Sequence, residues 1–197
     1  DRGARRAWSA RVVGVPQELA CDDQALDLGR ALVDPGGADL AVERDGKRVL
    51  EQGPSKPIHG VIDVTMRDTL YQAFQLVALD PTIAHVVLRG AGKAFSLGAD
   101  LTEFGTTSDP AAAHAIRAAT LPAHMALRVT DRMEARVQGA CVGSGLELAA
   151  FSGRVVAQKS AWFQLPELSM GILPGAGGCV SVTRRIGRQR AALMILS

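Results

Sequence analysis

Apolar positions along this chain switch between a period near 3.6 and short continuous runs, and the switches outline alternating helices and strands. Val61-Ile62-Asp63-Val64 predicts a strand. Thr65 with Asp68 has the spacing of a capping box opening a helix, whose apolar face is Met66, Leu70, Phe74 and Val77. Asp80-Pro81 ends that helix, and Val86-Val87-Leu88 predicts a buried strand. Gly98-Ala99-Asp100 and the short segment Leu101 to Phe104 follow, and Ser108-Asp109-Pro110 caps a helix running through Ala115 to about Thr120. Met133 to Val137 predicts a strand feeding a glycine-rich turn at Gly143, and Val155-Val156-Ala157 another ahead of Trp162-Phe163. Residues 58–197 thus form the patterned core. Residues 1–57 form an N-terminal segment of less regular pattern: a short strand at Arg11 to Val15, a helical pattern from Glu18 to Val33, a break at Asp34-Pro35-Gly36-Gly37, and a hairpin over Leu40 to Leu50 turning at Asp45-Gly46.

The chemistry concentrates between Gly139 and Gly178. Gly143-Ser144-Gly145 turns into the apolar segment Leu146-Glu147-Leu148, and a helix starting there directs free N–H groups and a positive dipole end forward. Downstream, Gln164-Leu165-Pro166-Glu167 supplies a second carboxylate, followed by the tight turn Leu173-Pro174-Gly175-Ala176-Gly177-Gly178. Two glutamates, each beside a glycine-rich turn, point to acid/base work next to an anion-stabilising hole. Solvated surface glutamates and ordinary turn glycines are the plain alternative for any one of these features alone.

The pattern G-x-G-x-E-L-A, then P-E, then G-I-x-P-G-A-G-G, together with Val86 to Leu101 (VVLRGAGKAFSLGADL), resembles the enoyl-CoA hydratase/isomerase (crotonase) superfamily. The resemblance covers roughly Ile62 to Ser197 and implies an α/β fold, a spiral of ββα units. It implies an oxyanion hole from the amides of Ala99 and Ser144, where the family commonly has glycine at the second position. It also implies catalytic roles for Glu147, which would orient and activate water, for Glu167, which would donate a proton to carbon, and for the Gly175 amide, which would help place the water. Substrate contacts carried over from the motifs are Leu97, Gly98, Asp100, Gly143, Trp162 and Leu165. The implied activity is addition of water to a 2-enoyl-CoA, a step of fatty acid metabolism, in a homotrimer or dimer of trimers. No metal or other cofactor is implied, coenzyme A entering as part of the thioester substrate.

Departures from the family pattern accompany the match. The usual CoA-contacting stretch of the N-terminal strand is not found, and Gly53-Pro54-Ser55-Lys56-Pro57 stands in its region. Gln164-Leu165 replaces Gly-Gln before Pro166-Glu167, and Cys179-Val180 replaces Thr-Gln after Gly177-Gly178. The family's C-terminal helices are expected beyond the final apolar pattern, Ala191 to Ser197. The glutamate pair favours a hydratase over an isomerase or other enolate chemistry on CoA thioesters. A non-catalytic acyl-CoA or RNA-binding member is the reading from a different class, and the pair argues against it.

Composition narrows the partners. A chain of 197 residues with 47% hydrophobic and 21% charged residues supports one well-packed domain. A net charge of +2 gives no electrostatic case for nucleic acid or a membrane surface. The cluster Arg184-Arg185, Arg188 and Arg190 reads as a solvated helix face, with a CoA-phosphate or RNA contact as the minority reading. Cys21, Cys141 and Cys179 form no CxxC pair and read as reduced, buried thiols, which with no signal peptide in view points to a cytoplasmic protein. Gly90-Ala91-Gly92-Lys93 lacks the Ser or Thr of a phosphate loop, and the four histidines are dispersed, which argues against a metal site.

Overall fold

The computed structural model describes residues 40–44, 47–52, 60–90 and 92–196. The N-terminal strand and helix expected before Asp34, the break at 34–37, the Asp45-Gly46 turn, Gly53 to Pro57 and Cys21 lie outside the described residues.

The main sheet has five strands in the order β2-β1-β4-β6-β8. Strands β1 (Leu40–Arg44) and β2 (Lys47–Gln52) form the expected antiparallel hairpin, with a register shift between Val42 and Glu43. Strand β1 also pairs antiparallel with β4 (His85–Arg89), so a hairpin from the less patterned N-terminal segment extends the sheet. Strands β4, β6 (Met133–Val137) and β8 (Arg154–Ala157) are parallel neighbours. A second layer contains β3 (Val61–Ile62) beside β5 (Gly98–Ala99), and β7 (Ala140–Val142) beside β9 (Trp162–Gln164), all parallel. A parallel bridge between Ser96 and Cys141 joins the two pairs.

Chain order now explains the layering. Each turn gives one strand to the main sheet, one to the second layer, and then helix: β2, β3 and α1 (Val64–Leu79); β4, β5 and the pair α2 (Pro110–Ala119) and α3 (Pro122–Val129); β6, β7 and α4 (Ser144–Ala149); β8, β9 and α5 (Gly178–Ile186). Helix α6 (Arg188–Leu196) follows. This is the expected spiral of ββα units, with every parallel connection made by a crossover.

The predicted face of α1 is its buried face: Met66, Leu70, Phe74 and Val77 all enter the core. Its cap differs from expectation. Asp63, not Thr65, is the N-cap, its Oδ1 accepting the Met66 N–H at 2.9 Å, and Val64 is already helical. A carboxylate reaches the third amide without help from a reciprocal partner, so the predicted strand ends at Ile62. Asp109 caps α2 by accepting the Ala111 N–H at 2.8 Å, with Pro110 in the first turn as the sequence indicates. Helix α3, which packs on α1, had no counterpart in the sequence reading.

Cys141 is buried as expected, and burial pushes its thiol above the ordinary range. Cys179 is exposed, contrary to expectation, because Gly178, Ser181 and Val182 take the inward face of α5. Among the described residues no helix is long and apolar enough to cross a membrane.

Candidate active site

Strand pairing turns one donor outward. Ile62 stands opposite Ala99, and its carbonyl accepts the Asp100 N–H at 3.1 Å. In a parallel ladder this bracketing leaves the Ala99 N–H on the side of β5 away from β3. That side faces β7 and the turn after it, where a Cβ built on Gly98 would lie 3.3 Å from the Val142 carbonyl oxygen. Ser96 holds the loop in place, its Oγ donating to the Gly60 carbonyl at 2.8 Å and accepting the Gly98 N–H at 3.2 Å. Asp100 is buried and caps the following 3-10 turn, its Oδ1 accepting the Thr102 N–H at 2.9 Å.

The second donor comes from the start of α4. Ser144 is its first residue, so its N–H has no acceptor within the helix. Gly143, with φ 53° and ψ −128°, makes the reversal, and a Cβ there would sit 3.1 Å from Glu167 Oε1. Only glycine combines that conformation with so close a carboxylate. Ala99 and Ser144 line one cleft, together with Asp63, Leu70, Asp100, Phe104, Arg117, Leu148 and Ala176 among others.

Both glutamates are buried at the back of this turn. Glu147 is 1% exposed, and its Oε2 accepts the Gly178 N–H at 2.6 Å, with the Ala176 N–H as a further donor to the carboxyl. Glu167 is 5% exposed and opens the 3-10 turn Glu167–Met170, its Oε1 against Gly143. Glu167 Oε2 and Ser144 Oγ are buried without a hydrogen-bond partner among the described residues. Burial pushes Glu147 up to about 7, with the Glu167 charge adding to the rise and the Gly178 and Ala176 amides and Arg117 opposing it. Burial also raises Glu167, against a bond from its own N–H. A pair raised in this way favours one proton and one negative charge over two charges.

Of the residues singled out in the sequence, Ala99, Asp100 and Ser144 line the cleft, and Gly98 and Gly143 back it. Glu147 and Glu167 are buried and do not line this cleft, and the Glu167 charge contributes to the rise of Glu147. Gly175 is exposed beside Ala176, and the amides on the Glu147 carboxyl belong to Ala176 and Gly178. Leu97 and Trp162 are largely exposed, Leu165 belongs to the core, and none of the three lines the cleft. The sequence reading missed Asp63, Arg67, Phe104, Arg117, Leu121 and Pro122 as lining residues. Helix α3 supplies Pro122, whose place at a helix start was the one available signal.

The sequence pattern of the enoyl-CoA hydratase/isomerase family matches residues 55–197. The chain belongs to this family. It is 34% identical over 161 residues to a 2,3-dehydroadipyl-CoA hydratase of Escherichia coli K12, covering 81% of this chain and 62% of the relative. It is 38% identical over 127 residues to a mevalonyl-coenzyme A hydratase of Beauveria bassiana, covering 59% of this chain and 45% of the relative. Among solved structures, an enoyl-CoA hydratase from Thermoplasma volcanium matches with a TM-score of 0.59 at 31% identity, covering 69% of this chain and 54% of that one. The chain spans about half the length of the curated relatives it matches. The family assignment agrees with the spiral of ββα units.

Proposed function

We propose that this chain carries the active site of an enoyl-CoA hydratase-like enzyme, which adds water across the double bond of a 2-enoyl-CoA thioester to give the 3-hydroxyacyl-CoA. The observation that carries the reading is the coupled, buried pair Glu147 and Glu167 set behind the turn whose Ser144 shares a cleft with Ala99. The Ala99 and Ser144 amides would receive the thioester oxygen and stabilise the charge that develops there, an effect of about 3–4 kcal/mol for one such donor. Glu147, as carboxylate, takes a proton from water while the water oxygen bonds to Cβ. Glu167, as carboxylic acid, gives its proton to Cα as the enolate collapses. The two protons balance, and burial raises both carboxyls, Glu147 to about 7, which supports a pair that shares one proton.

Gly175 would help place the water, while the Ala176 and Gly178 amides orient Glu147. Gly98, Asp100 and Gly143 would shape the carbonyl site, and Leu97, Trp162 and Leu165 the approaches to it. Hydration changes no net oxidation state, so the reaction requires no redox group, and two amides with two carboxyls supply its electrostatics without a metal. A cytoplasmic homotrimer or dimer of trimers is the setting we propose, the assembly on the resemblance to the family and the compartment on cysteines that form no CxxC pair. Sedimentation of the full chain tests that assembly.

The reaction is tested by following loss of the enoyl chromophore with short and medium 2-enoyl-CoA substrates. Turnover is expected in the wild type, with a loss of about 10²–10⁴ in Glu147→Gln and in Glu167→Gln. Full activity in the double variant would remove the mechanism.

A further inference from the structure

The cleft holds charged groups that the hydration chemistry does not use. Asp63, Arg67, Asp100, Glu103 and Arg117 all line it. Four of the five are engaged close to home. Asp63 accepts the Met66 N–H at 2.9 Å, Asp100 the Thr102 N–H at 2.9 Å, and Glu103 the Val64 N–H at 2.8 Å. Arg67 pairs with Asp68 at 3.2 Å. Arg117 differs: among the described residues it makes no ion pair, and its guanidinium carbon lies 5.6 Å from the centroid of the Phe104 ring, also a wall of the cleft. That ring contact holds the side chain on the cleft side without occupying its five N–H donors. The lining also includes the apolar Leu70, Leu121, Pro122 and Leu148.

From this placement we infer that Arg117 is a specificity-determining residue that receives a carboxylate at the far end of a short acyl chain, so that the preferred substrate is a 2-enoyl-CoA with an anionic tail. The inference rests on the acyl-CoA reading of the cleft. Arg117 is itself exposed, and guanidinium and carboxylate match as a planar, charge-assisted pair. The other anions of such a substrate are the coenzyme phosphates. Arg117 lines the same cleft as Ala99 and Ser144, whereas the pantetheine arm carries the phosphates away from the thioester.

The test compares matched short 2-enoyl-CoA thioesters, one ending in a methyl group and one in a carboxylate, by kcat/KM on the full chain. The wild type is expected to prefer the carboxylate-ended thioester. Arg117→Gln should reduce the carboxylate-to-methyl ratio about ten- to a hundredfold, and Arg117→Lys should reduce it less. Phosphate-free pantetheine thioesters should keep the wild-type ratio. Binding of the saturated counterparts, measured by calorimetry, gives the same comparison without turnover. No hydration with a retained binding preference would remove the reaction and leave the inference standing. Equal losses for both tails in Arg117→Gln, or no wild-type preference in either assay, would overturn it.

Discussion

The Glu147 carboxyl, on α4, accepts the N–H of Gly178, the first residue of α5, at 2.6 Å across 31 residues of sequence. This bond ties the carboxyl to the start of α5, and it works only because residue 178 has no side chain. A Cβ there would lie 2.6 Å from Glu147 Cγ and 2.9 Å from Oε2. Gly178→Ala is therefore expected to displace the carboxyl, lowering stability by about 1–3 kcal/mol and reducing kcat. Urea unfolding and steady-state kinetics check this, and a variant unchanged in both would contradict the close approach.

The pH dependence of stability follows from the same carboxyl. Its pKa in the fold is raised from 4.5 to about 7, so the folded chain holds the proton more tightly than the unfolded chain does. The stabilisation from this group is present in full below about pH 4.5 and is lost as pH rises through about 7. The loss levels off on the order of 3 kcal/mol. Glu167, also raised, acts in the same direction. The difference between wild type and Glu147→Gln isolates Glu147: the variant should gain relative stability between about pH 5 and about pH 8. Parallel stability profiles for the two proteins would count against a buried, protonatable Glu147.

Proline offers a way to delete one proposed oxyanion donor alone. Ser144 is the first residue of α4, a position that tolerates proline because its N–H has no helical acceptor. Ser144→Pro is expected to reduce kcat by about 10²–10³ with a small change in melting temperature. Ser144→Ala keeps the amide and should retain most activity. Similar kinetics in the two variants would mean that the amide is not a donor to the substrate.

The legible parts of this fold are those where a local signal and the tertiary structure agree. The face Met66, Leu70, Phe74 and Val77 declares α1, and Pro110 after Asp109 declares α2. Helix α3 went unseen because its buried positions include the small Ala123 and Ala126, which give little hydrophobic signal. Strands β7 and β9 are three residues each, too short for a period to register. At the site, the glycine turns drew attention to Glu147 and Glu167, and the structure buries both carboxyls. The Ala176 and Gly178 amides on Glu147 were not identified, since which amide of a turn faces a carboxyl depends on backbone angles. Arg117 was invisible for a different reason: α2 brings it to the cleft from outside every motif.

The central claim is that the Ala99 and Ser144 amides hold the thioester oxygen, and the carbonyl stretch of a bound, isotope-labelled enoyl thioester tests it most directly. Two hydrogen bonds to that oxygen should lower the stretching frequency on binding to the wild type, and Ser144→Pro should recover part of the shift. A carbonyl frequency in the wild-type complex equal to that of the free thioester in water, and unaltered by Ser144→Pro, would contradict the claim.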